Sequence, residues 1–510
     1  MNLSSERQVT AGERLPGIAR QLRVVIRLFH VVIGSSLGLL TLLNMTTHLA
    51  VAAPGAAPAP SSELLQTSVT LNGRGLSSSG GGYTVHVPVV MRDYDPTPPP
   101  FAIQMYGNIT ASTGFTRLVE AGAAWIRFPV NWSAIEPVNT TPANYAWAAV
   151  DASIQTVTPS GVRIIATIGS NPSWASARVN GPVTHTADLQ EFVGAIVGRY
   201  PQVQYWEFYN EPDNKNRFGL NGSGYADMLK SMYPIVKSTN PDAQVVLGGL
   251  AMDWFIEDGG PFDGNFLPDV LSNCGGNTCF DVANFHYYPA FRHVWEPYGR
   301  DMIGKAAYVR QVLANYGYSR PVINTETGWP AGAIWGSPEL AARYVPKVYA
   351  RTFAAGLPVA NWYALNDADA SSPGLLGPGL VPRPSYMAYR TLTSLMRHAR
   401  FVRAIPSNET GSAQIEGYVF SVPGSVGRTR LDVYWYDCPS MYTLSMYVNG
   451  LPADCSSRAP LQIAASQVAK IDHMGNTVIL NDASDGQVDG RVTLPNGGVD
   501  TNPIYIDYAP

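Results

Sequence analysis

From residue 101 to about residue 400 the chain alternates short apolar runs rich in β-forming residues with longer segments of helical period. This alternation limits the available folds more than any other feature, because strands separated by helices pair in parallel and need helices over their faces. Eight runs carry it: FAIQMYG (101–107), AAWIRFPV (123–130), VRIIATIG (162–169), VQYWEFYN (203–210), QVVLGGL (244–250), DVANFHYY (281–288), PVINTE (321–326) and VANWYALN (359–366). Eight strand–helix units over about 300 residues predict an α/β fold, a (β/α)8 TIM barrel over 101–400. The segments between the runs agree. Tyr225, Met228, Leu229, Met232, Tyr233 and Val236 recur at three- and four-residue steps, with Ser223 as the expected cap. A second helix is expected from Ser337 to Ala355, with Pro338 in its first turn and Gly356 past its end.

The flanks read differently. Beyond Arg400 short alternating strands (414–420, 429–436, 476–480, 491–494 and 503–508) are separated by Gly, Asn and Asp turns, which predicts a small all-β, sandwich-like domain over 401–510 that buttresses the barrel. At the other end, Arg20, Arg23 and Arg27 precede an apolar run from Val31 to Leu43, and Ala50-Val51-Ala52 follows as a small-x-small cleavage pattern. Residues 1–53 are therefore expected to be a signal peptide, the alternative being an uncleaved membrane tether over Val24 to Leu43. Both readings place the remainder outside the cytoplasm, secreted or at the cell surface. Residues 54–100, rich in Ala, Pro, Ser and Gly, read as a linker, within which 83–94 alternates like a short strand that docks on the following domain. Four cysteines suit an oxidising compartment, with nearest neighbours paired, Cys274 with Cys279 and Cys438 with Cys455. A zinc site at Cys274 and Cys279 lacks a CxxC pair or adjacent histidines.

Charged residues make up only 14% of the chain and its net charge is −4, which gives no basic field for nucleic acid. The 11 Trp and 27 Tyr exceed ordinary core needs and suit stacking on sugar rings, so carbohydrate is the expected ligand class. In a barrel of this kind chemistry sits where strands end. The fourth run ends at Tyr209-Asn210-Glu211-Pro212 and the seventh at Asn324-Thr325-Glu326. Two glutamates thus overlook one mouth, as hydrolysis of a glycosidic bond requires, and a separation of about 5 Å would let one attack the anomeric carbon while configuration is retained. Pro212 is expected to hold Glu211 extended.

With these residues in view, YWEFYNEP resembles the strand-four motif of clan A glycoside hydrolases and VINTETGW the clan's strand-seven nucleophile motif. AAWIRFPVNWSAIEP, IIATIGSNPSWAS, NFHYYP and NWYALND resemble its second, third, sixth and eighth strand segments, so the likeness spans roughly residues 101 to 400. Within the clan it is most like family 39, the β-xylosidase and α-L-iduronidase type, or family 5-like cellulases. The resemblance implies a retaining glycosidase acting on a β-glycan or oligosaccharide without cofactor or metal.

Glu211 would be the acid/base, with its pKa raised by burial and by the neighbouring carboxylate, and Glu326 the nucleophile, kept ionised. The resemblance further implies that Asn210 bonds the sugar 2-hydroxyl and that Arg127 steadies the nucleophile, unless it serves as a structural partner of Glu207. Tyr288 would bond the nucleophile, His286 would lie near substrate, and Trp362 would form the floor under the reacting sugar. Trp132, Trp174, Trp329 and Trp335 are further candidates for sugar contact; Glu207 is expected in an inner layer of the barrel, and Glu136 has no assigned chemistry. Rival readings are a transglycosylase on the same scaffold and a non-catalytic carbohydrate-binding surface protein. No GxSxG elbow or HExxH zinc motif points to another hydrolytic mechanism.

Overall fold

The structure, a computed structural model, describes residues 44–48, 66–72, 83–88 and 98–508, apart from 220, 277–278, 330–336, 368–373, 424–427 and 439–456. The chain divides into two compact units, Met1–Tyr94 and Asp95–Pro510. In the first, Asn44–His48, Gln66–Asn72 and Tyr83–Pro88 form a three-stranded antiparallel sheet in that order. Two of these strands fall in the segment read as linker. The strand expected within 83–94 forms as Tyr83–Pro88 and pairs with Gln66–Asn72. The basic and apolar run of the expected leader, with its cleavage pattern, lies outside the described residues. Among the described residues no helix is long and apolar enough to cross a membrane.

All eight expected runs form strands of one parallel sheet: Phe101–Gln104, Trp125–Asn131, Arg163–Gly169, Tyr205–Asn210, Gln244–Gly249, Ala283–Tyr287, Val322–Thr327 and Ala360–Trp362. The eighth pairs with the first, and parallel bridges Val246 to Val282 and Leu250 to Phe285 join the fifth to the sixth, bringing the sheet round on itself. Ala102, Trp125, Ile165, Val246, Val282, Ile323 and Val359 fill the barrel at the start of the strands. A larger core lies between sheet and helices, where Phe192, Leu229, Met232, Tyr349 and Leu392 are fully buried. Helix Gly222–Thr239 is capped by Asn221, whose side chain accepts from the Gly224 N–H, rather than by Ser223, which lies inside the first turn. Helix Pro338–Ala354 begins as expected behind Ser337, which accepts from the Leu340 N–H.

Beyond the barrel a six-stranded antiparallel sheet runs in the spatial order Arg400–Ala404, Ile415–Ser421, Arg430–Tyr436, Ile504–Asp507, Gln467–Asp472, Thr477–Asn481. A two-stranded ribbon, Gln462–Ala464 with Arg491–Thr493, shares its core through Ile463 and Val492. The α/β barrel with a C-terminal all-β, sandwich-like domain is thus the observed fold. The β domain packs on helix Pro338–Ala354, where Phe353 meets Phe420 at 5.6 Å and the Arg351 guanidinium lies 5.2 Å from the Trp435 ring centre. Cys274 and Cys279 form a disulfide, which removes both thiolates as zinc ligands. Cys438 is also disulfide-bonded; Cys455 lies outside the described residues.

Candidate active site

Above the apolar floor the barrel interior turns polar. Glu207, fully buried, points inward and accepts from Arg127 Nε and Nη2, Thr167 Oγ1, Asn284 Nδ2, Thr325 Oγ1 and the Gly249 N–H, at 2.7–3.1 Å. So many donors keep it ionised: burial pushes its pKa up, yet Arg127 leads the groups that hold it below the usual carboxylate range. Glu207 is therefore the inner-layer residue expected, and it fixes the plane of Arg127. That guanidinium also donates to Gln104 Oε1 at 3.0 Å and to Asn210 Oδ1 at 2.7 Å, and stands 3.6 Å from Glu326. Arg127 thus lies between Glu207 and Glu326. Arg127 thereby occupies the Asn210 oxygen, which leaves the Asn210 amide N–H groups as its remaining donors.

Glu211 and Glu326 stand at the ends of the fourth and seventh strands, and both are buried. A carboxylate oxygen of each and a ring nitrogen of His286 lie within 4.8 Å of one another. His286 Nδ1 is 3.1 Å from Glu211 Oε1 and 3.8 Å from Glu326 Oε2, and Tyr288 donates to Glu326 Oε1 at 2.8 Å. Pro212 does not hold Glu211 extended. Glu211 has φ 48° and Tyr209 φ 63°, so the strand ends in a kink with two left-handed residues. The Glu211 N–H donates to Gly249 O at 3.1 Å, tying the kink to the fifth strand. Proline disfavours the right-handed helical region for the residue before it, and φ 48° lies outside that region.

The electrostatics also differ from expectation. Burial pushes Glu211 up, but the His286 hydrogen bond, the His286 charge, Arg217 and Arg127 outweigh it and hold the carboxyl below its ordinary value. Burial pushes Glu326 up, and its attraction to His286, Arg127 and Tyr288 does not offset that burial and the repulsion from Glu211. On His286 burial opposes a charge, but the two carboxylates prevail and raise its pKa. In the free site the order of the two glutamates is thus the reverse of the one expected. The cause is local: Arg217 Nη1 reaches Glu211 Oε2 at 3.1 Å while His286 holds Oε1. Glu211, His286 and Glu326 could also hold a metal ion, although Arg127 and Arg217 already bring positive charge against the carboxylates.

The aromatic candidates have contacts of their own, and Trp362 pairs across the sheet with Thr327, the residue after Glu326. Trp132 is fully buried, stacks on Phe192 and donates to Glu136 Oε2 at 2.8 Å; Trp174 donates to the Glu136 carbonyl at 3.1 Å. Glu136 is a bracket for these two rings. Trp329 and Trp362 both pack near Tyr344, and Trp362, at 2% exposure, presents little surface to a sugar. Trp335 lies outside the described residues. Two exposed rings had no motif to mark them: Tyr106, 44% exposed after the first strand and edge-on to Tyr363, and Trp254, 51% exposed after the fifth. Arg217 is the third residue that sequence reasoning missed, since an exposed loop arginine carries no signal until its neighbour is known.

Comparison with known proteins identifies a glycosyl hydrolase family. The family model described as cellulase, glycosyl hydrolase family 5, matches residues 90–345, half of the chain, including both glutamates. Among solved structures, a family 39 glycoside hydrolase from Bacteroides cellulosilyticus is similar at TM-score 0.63 and 19% identity, over 88% of each chain. A monomeric β-xylosidase from Caulobacter crescentus is similar at 0.56 and 14%, over 82% of this chain and 97% of that one. A bifunctional glucanase-xylanase from a metagenome library is similar at 0.51 and 12%, over 81% and 100%. No curated protein matches in sequence.

Proposed function

The chain belongs to the cellulase family of glycosyl hydrolases, family 5, and is a glycosidase; from that premise we propose that it is an exported, retaining enzyme cleaving β-linked oligo- or polysaccharides by double displacement. The observation that carries this reading is the pair of carboxylates at the ends of the fourth and seventh strands, with oxygens inside 4.8 Å. Retaining glycosidases hold their carboxyl groups about 5–5.5 Å apart, whereas inverting ones leave about 6.5–9.5 Å for an intervening water. Glu326 attacks the anomeric carbon while Glu211 gives its proton to the departing glycosidic oxygen. Glu211, now a carboxylate, then takes a proton from water, whose oxygen bonds the anomeric carbon and releases Glu326. Asn210, its oxygen held by Arg127, donates to the sugar 2-hydroxyl, and Tyr288 orients the nucleophile. The β-xylosidase and glucanase-xylanase among similar structures favour xylan- and glucan-derived substrates. The disulfide supports an oxidising, extracytoplasmic location.

Glu326→Ala is expected to lower turnover of an aryl β-glycoside by about a thousandfold or more, with azide or formate restoring it and giving inverted product. Glu211→Ala, given azide and an activated leaving group, is expected to yield the retained glycosyl azide. Full activity in the Glu326 variant, or the two product stereochemistries exchanged, would overturn the assignment of roles.

A further inference from the structure

Glu211 has one oxygen facing inward and one facing the cleft. His286 holds Oε1 at 3.1 Å, and Arg217 Nη1 stands 3.1 Å from Oε2. A general acid must meet the glycosidic oxygen within hydrogen-bond reach, so with Oε1 engaged the Arg217 guanidinium occupies the place of that oxygen and of the first atoms of the leaving group. Its side chain is 51% exposed, free to swing away from Glu211. Two further cations belong to the same pair of loops, while Asp263 lies on the segment packed against them. Lys215 and Arg217 lie on the loop after the fourth strand, and Arg178, from the loop after the third, reaches the Asn216 carbonyl at 3.5 Å. Among the described residues neither Arg178 nor Lys215 has an ion pair within 4 Å, and Glu211 is the one carboxylate paired with Arg217. The loop is anchored, since the Lys215 N–H donates to Pro261 O and the Asp263 N–H to Asp213 O, both at 3.0 Å.

Resting on the glycosidase reading above, we propose that Arg217 determines specificity on the leaving-group side, exchanging its contact with Glu211 for a carboxylate carried by the departing moiety. The substrate class is then a β-glycoside whose leaving group bears a carboxylate beside the scissile bond, as a uronic acid does. A neutral leaving group has nothing to draw the guanidinium away. An acidic one both pairs with it and frees the acid to protonate the glycosidic oxygen. The restraint on Glu211 in the empty site agrees with this.

The test uses the full chain and four substrates, the β-xylosides and β-glucosides of 3-hydroxybenzoate and of its methyl ester. In the wild type kcat/KM for the carboxylate is expected to exceed that for the ester by about fivefold, the yield of one exposed ion pair. Arg217→Ala should bring that ratio near unity and Arg217→Lys should keep part of it, so any intrinsic difference between the leaving groups cancels in the comparison. A ratio near unity in the wild type, or one that survives in Arg217→Ala, overturns the inference and leaves the glycosidase reading standing. Turnover of none of the four overturns the proposed β-glycoside substrates, and the inference with them.

Discussion

Tyr288 reaches the nucleophile through one hydrogen bond of 2.8 Å, and burial with the Glu326 charge drives its hydroxyl pKa well above the ordinary value, so it acts only as a donor. A hydrogen bond to a charged group is worth about 1.5–3 kcal/mol. Tyr288→Phe keeps the ring in place and removes the bond, so kcat/KM is expected to fall by about 10- to 100-fold at temperatures where the variant is fully folded. Steady-state kinetics beside a thermal melt check this, and a loss of stability equal to the loss of activity would assign the hydroxyl to folding instead. Residues in the strand-end motifs were legible in the sequence because a strand end fixes where a side chain goes. Glu211, Glu326, Asn210, Arg127, His286 and Tyr288 all converge as their positions implied. Arg217 and the burial of the tryptophans were not, since each depends on how a loop folds back, and neither spacing nor residue type reports that.

The strands themselves were legible because a parallel strand covered on both faces reads as an unbroken apolar run. Their ends were less so. The eighth run extends to residue 366 in sequence, yet only Ala360–Trp362 pairs, and the fourth ends in a left-handed kink that Pro212 permits but does not dictate. Gly249, where the fifth strand ends, shows what such an end must satisfy. Its N–H donates to Glu207, and a Cβ there would lie 2.0 Å from His286 Nε2 and 2.9 Å from Thr325 Oγ1. The neighbour is a fully buried ring that also bonds Glu211, so it cannot yield without disturbing the acid/base. Gly249→Ala is accordingly expected to cost about 1–3 kcal/mol of stability and to reduce turnover even at temperatures where the variant is fully folded. Urea unfolding together with activity at low temperature tests both halves. A variant with wild-type turnover would show that His286 tolerates displacement.

At the scale of the whole molecule, the barrel and the β domain meet through buried charge. The buried Arg292 and Arg351 and the partly exposed Arg300 pair with Asp301, Glu416 and Asp437 at 2.6–3.4 Å, and Arg292 also reaches the exposed Glu296 at 3.1 Å. Removing one member of such a set leaves an uncompensated buried charge, which is why these pairs bind the two domains into one unit even where their net contribution is small. Lys347, on the helix that carries Arg351, is 1% exposed and makes no ion pair within 4 Å among the described residues. Burial pushes its pKa down to about 7, with Arg351 adding to the effect and Asp437 and Glu416 opposing it. In the unfolded chain a lysine titrates near 10.4. Between about pH 7 and pH 10 the unfolded chain therefore binds a proton that the folded one does not, and the unfolding free energy rises with pH across that window. Below it the ammonium is charged in both states and the full cost of burying it is felt. Lys347→Met keeps the apolar stem and removes the charge, so the variant is expected to exceed the wild type by on the order of 1–4 kcal/mol near pH 7, with the difference shrinking as pH approaches 10. Urea unfolding at about pH 7 and about pH 9.5 measures this directly. An equal difference at both pH values would mean that Lys347 acts through packing, and that its charge is already compensated at the junction of the two domains.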